Sequence, residues 1–319
     1  MSARRTTRRP RKGEGTARAV VPRARTRRTP VPRAGRRMTV TSSTPSLRRR
    51  IAQWRRRGES IAFVPTMGAL HRGHLSLVQR ARASADRVVV SIFVNPLQFG
   101  LREDFGRYPR PIIADRALLR ASGVDVLWEP SVEQLYPPGD RTRVRVEGLD
   151  VVLEGASRPG HFTGVTTVVA KLLNAVQPDV LWLGQKDAQQ ARMIEQMVDD
   201  LAFPVRVRRA ATVREPDGLA CSSRNRYLNA EERAEAVALA RSLAAARDAL
   251  QRGERSTARV MERMRRVMKE FPRVREDYVA VVDARTLDPV RRVEGRVLIA
   301  VAARLGTTRL IDNLEWEPR

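Results

Sequence analysis

Three stretches of this chain carry residues that could do chemistry together. Two of its three histidines fall in Pro65-Thr66-Met67-Gly68-Ala69-Leu70-His71-Arg72-Gly73-His74. A lysine stands in Gly184-Gln185-Lys186-Asp187-Ala188-Gln189-Gln190, and two hydroxyls precede an arginine in Cys221-Ser222-Ser223-Arg224-Asn225. Imidazoles, an ammonium, hydroxyls and a guanidinium are groups that hold phosphate oxygens and stabilise charge as it moves between them. No Ser-His-Asp arrangement is evident, so the inventory points to positioning and electrostatics, not to a protein nucleophile. Lys186 is not part of a Walker A loop, because the glycine run before it is missing. Asn95 and Gln98, in Asn95-Pro96-Leu97-Gln98-Phe99-Gly100, add neutral groups for a polar substrate, although Asn-Pro is also an ordinary turn signal.

Each of these stretches follows a short apolar run. Ile61–Val64 reads as a buried strand, and Leu75–Arg82 has helical apolar spacing, so the histidine motif joins the carboxyl end of a strand to a helix start. Free N–H groups there suit an anion, and one of the histidines could equally serve as the helix cap. Further helices are predicted over Ser46–Arg57, Ile112–Ser122, Thr163 or Gly164 to Val176, and on to Val198 after the lysine stretch. Strands are predicted at 87–94, 125–128, 180–183 and 205–209. Tyr136–Val152 reads as a hairpin-like excursion, and Glu154–Phe162, with Arg158 and His161, as too polar for core. Alternating strands and helices predict a parallel sheet covered on both faces, a Rossmann-like arrangement with ligands at the carboxyl ends of its strands. From Asn229 the pattern changes to helices through Leu250 and over Thr257–Lys269, then strands at 278–282, 297–302 and 309–311. That order predicts a smaller α+β C-terminal domain, with 38–212 as the first domain and 213–319 as the second.

Residues 1–37 carry thirteen arginines and one lysine against the single acid Glu14, half of the net charge of +26. They have no apolar periodicity, so we expect a disordered leader, or a stretch upstream of a translation start at Met38. A nucleic-acid tail is compatible with the charge, but no aromatic stacking pattern accompanies the basic helix faces farther on, and no specific nucleic-acid partner is expected. One cysteine in 319 residues excludes an intramolecular disulfide framework and fits a reducing compartment. No apolar run approaches the roughly 18 residues of a membrane span.

Taken in order, Pro65 to His74, Ser91-Ile92-Phe93-Val94-Asn95-Pro96 with Gln98-Phe99, Glu154 to Phe162, Gly184 to Gln190, Ser222 to Asn225 and Leu305-Gly306 with Arg309 to Asn313 resemble pantothenate synthetase, also called pantoate–β-alanine ligase. The likeness covers about residues 46–313 and places the chain in the nucleotidylyltransferase superfamily. It implies condensation of pantoate with β-alanine using ATP and Mg²⁺, through a pantoyl-adenylate, by a cytoplasmic homodimer whose small C-terminal domain acts as a lid. By the resemblance, His71, His74, Lys186, Ser222, Ser223 and Arg224 are the catalytic set. Met67, Gly73, Gly184 and Asp187 join them around ATP, while Asn95, Gln98 and Gln190 hold pantoate.

Three positions depart from the family pattern: Gln185 stands for glutamate, Leu183 for an aromatic residue, and Ala114 precedes Asp115 where two acids are frequent. The last of these places Mg²⁺ on the phosphates of ATP, not on the protein. Transfer of AMP to a phosphorylated acceptor, or plain nucleic-acid binding, are the alternative activities.

Overall fold

The computed structural model describes residues 37–100 and 103–318. The reading of the Arg-rich leader therefore lies, apart from Arg37, outside the described residues.

Chain order is β1 (Thr39–Thr41), α1 (Thr44–Arg56), β2 (Ile61–Thr66), α2 (Arg72–Ser84), β3 (Arg87–Ile92), α3 (Ile112–Ala121), β4 (Val126–Trp128), α4 (Val132–Leu135), α5 (Glu154–Ser157), α6 (His161–Val176), β5 (Val180–Gly184), α7 (Ala188–Asp200) and β6 (Arg206–Ala210). These six strands form one parallel sheet in the order β1-β4-β3-β2-β5-β6. Alternate residues of β2 explain why Ile61–Val64 has no polar position. Ile61 and Phe63 pack with Leu47, Ile51 and Trp54 of α1 and with α6 and α7, while Ala62 and Val64 pack with Leu77, Val78 and Ala81 of α2. A strand covered on both faces reads as a continuous apolar run. Each such fully buried large side chain contributes about 1.5–3 kcal/mol. From β2 the chain moves outward to β3 and then returns to β5 on the other side, so the order reverses between β2 and β5. A crevice forms there, outside the carboxyl ends of the strands.

Beyond β6 come α8 (Ala230–Glu235), α9 (Ala238–Gln251), α10 (Thr257–Met268), and an antiparallel sheet β7 (Val274–Asp283), β8 (Val297–Leu305) and β9 (Thr308–Trp316), in the order β7-β8-β9. The central strand is apolar on both faces here too. Val297, Ile299, Val301, Ala303 and Leu305 pack on α9 and α10, whereas Leu298 and Ala300 join the core of the parallel sheet.

Four local readings change. The 136–152 stretch forms no hairpin: Val144 N–H donates to Thr167 Oγ1 (3.0 Å) and Val144 C=O accepts from Thr166 Oγ1 (2.6 Å), so threonines of α6 take the place of a partner strand. The helix expected from Thr163 begins at His161, after Gly160 in a left-handed conformation. Glu154–Phe162 stays exposed in its middle, at Ala156, Ser157, Pro159 and Gly160, but its ends are buried; it contains α5, and Glu154 packs against Arg309 and Tyr278. The Asn229 cap does form, with Glu232 closing the capping box, but the helix breaks between α8 and α9. The edge strand β1, only three residues long, is too short for its alternation to reveal it.

Candidate active site

The turn from β2 to α2 is held by one carboxylate. Gly68 (φ 84°) and Ala69 (φ 49°) both lie in the left-handed region, and Asp115 of α3 accepts from Ala69 N–H and Leu70 N–H, each at 2.8 Å. Two hydrogen bonds to an ionised acceptor offset the strain of a non-glycine residue at positive φ. His71 is then the N-cap of α2. Its Nδ1 accepts from Gly73 N–H at 3.1 Å, and His74 Nδ1 accepts from His71 N–H at 3.3 Å. Capping and chemistry are thus not alternatives. With Nδ1 an acceptor on each ring, the proton of the neutral imidazole is at Nε2, so both side chains lining the cleft carry an Nε2–H donor.

The two rings lie 4.1 Å apart between centroids, close enough that two positive charges would repel. Both retain partial exposure, yet they sit deep enough for desolvation to dominate. Burial, then the Lys186 charge, lowers the His71 pKa to about 4; burial, then His71 and Lys186, lowers that of His74 to about 3. His161 is lowered to about 4 by burial and by Arg158. All three fall from an ordinary value of 6.5. Between pH 6.5 and about 4 the unfolded chain therefore binds protons that the folded chain does not. Stability is fully present above 6.5 and declines on acidification through that window, by up to about 1.4 kcal/mol per pH unit for each ring. Urea unfolding from pH 7.5 to 4.5 checks the sign.

Asn95 and Gln98 follow β3. Asn95 Nδ2 donates to Gln98 Oε1 and to Gly164 O, both at 3.1 Å, and Asn95 Oδ1 accepts from Tyr136 OH at 2.8 Å. Gln98 Nε2 points at Met67 Sδ (3.0 Å). Asn95, buried, acts through Gln98: it fixes the amide that faces the cleft. Lys186 and Asp187 occupy a 3₁₀ turn after β5, with the Lys186 ammonium only loosely paired to Asp187 at 3.8 Å. That turn is anchored from β9, where Asn313 Nδ2 donates to Gln185 O (3.0 Å) and Lys186 O (2.8 Å). Gln185 turns away from the cleft and donates to Glu315 Oε1 at 2.9 Å. A glutamate here would face Glu315, which Arg209 and Arg296 already hold. Gln190, half-buried, follows in the first turn of α7.

The hydroxyl–arginine loop is presented by a small hairpin. Arg214 bridges Ala220, and its guanidinium holds Gly218 O (3.0 Å) and the buried Asp312 (2.6 Å). Ser222 caps the next turn by accepting from Arg224 N–H at 3.3 Å, and Ser223 Oγ lies 3.3 Å from Tyr108 OH. Arg224 donates to Asp104 at 2.9 and 3.1 Å. Cys221 is buried, as a small core residue should be, with its thiol 3.3 Å from Glu215.

One cavity of about 230 Å³ gathers these segments. Met67, His71, Gly73, His74, Asn95, Gln98, Gly184, Lys186, Asp187, Gln190, Ser222, Ser223 and Arg224 all line it. Tyr108, Arg158 and His161 line it as well; the sequence singled out the last two without assigning them work, and no signal marked Tyr108. Among the described residues no group of three or more His, Cys, Asp or Glu side chains is set to hold a metal ion. Asp115 does not fit that task, since both oxygens serve the Ala69 and Leu70 N–H groups. No described helix is long and apolar enough to cross a membrane.

Residues 39–315 match the family model described as Pantoate-beta-alanine ligase. Pantothenate synthetase from Moorella thermoacetica is 52% identical over 280 residues, 88% of this chain and 99% of that one. Its counterpart from Heliobacterium modesticaldum is 54% identical over 82% of this chain and 93% of the relative. Among solved structures, pantothenate synthetase from Thermus thermophilus superposes with a TM-score of 0.84 at 48% identity, covering 88% of this chain and 99% of that chain. Pantoate-beta-alanine ligase from Francisella tularensis, complexed with beta-gamma ATP and beta-alanine, gives 0.69 at 32% identity over 87% and 97%.

Proposed function

The chain belongs to the pantoate–beta-alanine ligase family, and we propose that it joins pantoate to β-alanine using ATP, through a pantoyl-adenylate. The observation that carries the proposal is the convergence on one cavity, at the switch point of the sheet, of every residue the resemblance assigns to catalysis, ATP or pantoate.

In the first step a pantoate carboxylate oxygen attacks the α-phosphorus of ATP, and the bond to the bridging β-phosphate oxygen breaks to release pyrophosphate. Negative charge shifts onto the leaving group. The His71 and His74 Nε2–H donors, the Lys186 ammonium, the Ser222 and Ser223 hydroxyls and the Arg224 guanidinium stabilise that charge without a protein nucleophile. Gln98 and Gln190 hold pantoate through its polar groups, and Asp187 accepts from the nucleoside. In the second step the free amine of β-alanine attacks the acyl carbon, AMP departs with the bonding pair, and the nitrogen loses a proton as the amide forms. Adenylation comes first because oxide is too poor a leaving group, whereas AMP is a good one.

Arg224 now pairs with Asp104 and must share or exchange that partner when phosphate arrives. We take residues 213–319 as a lid domain, supported by the Ser222–Arg224 loop, which lines the cleft, and by Asn313, which holds the Lys186 turn. Mg²⁺ would enter with the phosphates of ATP. From family membership we also infer a homodimer and a cytoplasmic location.

ATP and pantoate without β-alanine are expected to yield enzyme-bound adenylate and one pyrophosphate per active site, with little steady turnover. β-Alanine should then discharge the adenylate to AMP and product. Rapid quench with α-labelled ATP measures both steps. Formation of ADP, or of no adenylate before the amine is added, would overturn the mechanism.

A further inference from the structure

A ligase of this kind handles two carboxylates and must treat them oppositely. One is activated at phosphorus. The other, on the amino acid, must remain unreacted and away from the phosphates while its amine reaches the acyl carbon. A cation remote from the phosphate cradle would achieve that separation. His71 and His74 are neutral, and Lys186 and Arg224 belong to the cradle. Arg158 is a further cation on the wall of the cleft, and it stands on the Gln98 side.

Its surroundings are those of a built carboxylate site. The Arg158 side chain is only 15% exposed, and Nη1 donates to His161 Nε2 at 3.0 Å. His161 Nδ1–H in turn donates to Gln98 O at 2.6 Å, which fixes the tautomer and the ring. The outer fork of the guanidinium, Nε and Nη2, grips the two oxygens of Glu103 at 2.6 and 2.5 Å. Parallel bidentate bonds are the geometry by which arginine recognises a carboxylate. Beside it lies a second, smaller cavity of about 50 Å³, which Arg158, His161, Lys186, Asp187 and Gln190 share with the main cleft.

We propose that Arg158 binds the carboxylate of the amino-acid substrate, with the Glu103 carboxylate, which now fills its guanidinium fork, standing where the substrate carboxylate sits. The role rests on the ligase reading above, because only a second carboxylate needs such a site. Glu103 then competes weakly with β-alanine, and Arg158 sets the preference for an amine that bears an acid.

Three variants of the full chain test it: Arg158→Gln, Arg158→Lys and Glu103→Gln. Pyrophosphate released from ATP and pantoate should stay within about twofold of the parent in all three, since that step does not use the amine. KM for β-alanine should rise roughly 10–100-fold in Arg158→Gln, the loss of a charge-assisted pair, and less in Arg158→Lys. The preference for β-alanine over propylamine, an amine of the same length without the acid, should collapse by the same factor. Glu103→Gln should lower KM for β-alanine, which keeps the test decisive if Arg158→Gln does not fold. An unchanged preference for β-alanine over propylamine, a parallel fall in pyrophosphate formation, or an unchanged or raised KM in Glu103→Gln would each overturn the assignment. Absence of pyrophosphate from the parent chain would instead overturn the ligase reading itself.

Discussion

Replacing His71 or His74 by alanine should slow adenylate formation by roughly 10²–10³-fold, equivalent to about 2.7–4 kcal/mol of lost transition-state stabilisation. Both rings line the cavity and each carries its donor at Nε2. The two positions differ in what else they do. His71 caps α2, so His71→Ala also loses about 1 kcal/mol of stability through the freed Gly73 N–H. Asparagine is a strong N-cap without an Nε2–H, and His71→Asn should restore stability while leaving catalysis impaired. Single-turnover quench together with urea unfolding separates these effects. A stable His71→Asn that adenylates normally would remove the histidine from the mechanism.

The second large effect is expected at a residue with no side chain. Gly164 lies in the first turns of α6, where a Cβ would meet Leu97 O at 2.3 Å, Leu97 C at 2.5 Å and Gln98 N at 2.7 Å. All three are backbone atoms, so no side chain can swing aside. Gly164→Ala must push the Asn95–Gln98 turn away from α6 or shift the helix, and it also disturbs the carbonyl that receives Asn95 Nδ2. A destabilisation of about 3 kcal/mol follows from such overpacking. In the folded fraction, misplacement of Gln98 should lower kcat/KM for pantoate by about 10²-fold, because reacting groups tolerate little displacement. KM for ATP should move much less. Thermal unfolding and initial rates with each substrate varied would check this; wild-type pantoate kinetics in Gly164→Ala would show that the contact does not position Gln98.

Asp115 and Gln185 show how position in the sequence differs from role in space. By the family resemblance, Asp115 was a lone acid where two are frequent; in the fold it is the acceptor that holds Ala69 and Leu70 in the histidine turn. Gln185 departed from the family pattern inside a catalytic motif, yet its side chain faces Glu315 on β9. Neither role can be read locally, because the partners are 46 residues distant for Asp115 and 130 for Gln185.

The sequence by itself determined the parallel α/β layering and the small antiparallel sheet, because apolar periodicity is a local property and each strand of β2 or β8 type announces that both its faces are covered. It also determined the glycine-flanked motifs that bring imidazole, lysine, hydroxyl and arginine to strand ends. Only the tertiary structure decided the tautomers of His71 and His74, the burial of Glu154 against Arg309, and the grip of Arg158 on Glu103. These depend on hydrogen bonds and ion pairs whose strength is set by distance, angle and desolvation, and those quantities exist only after distant segments have packed together.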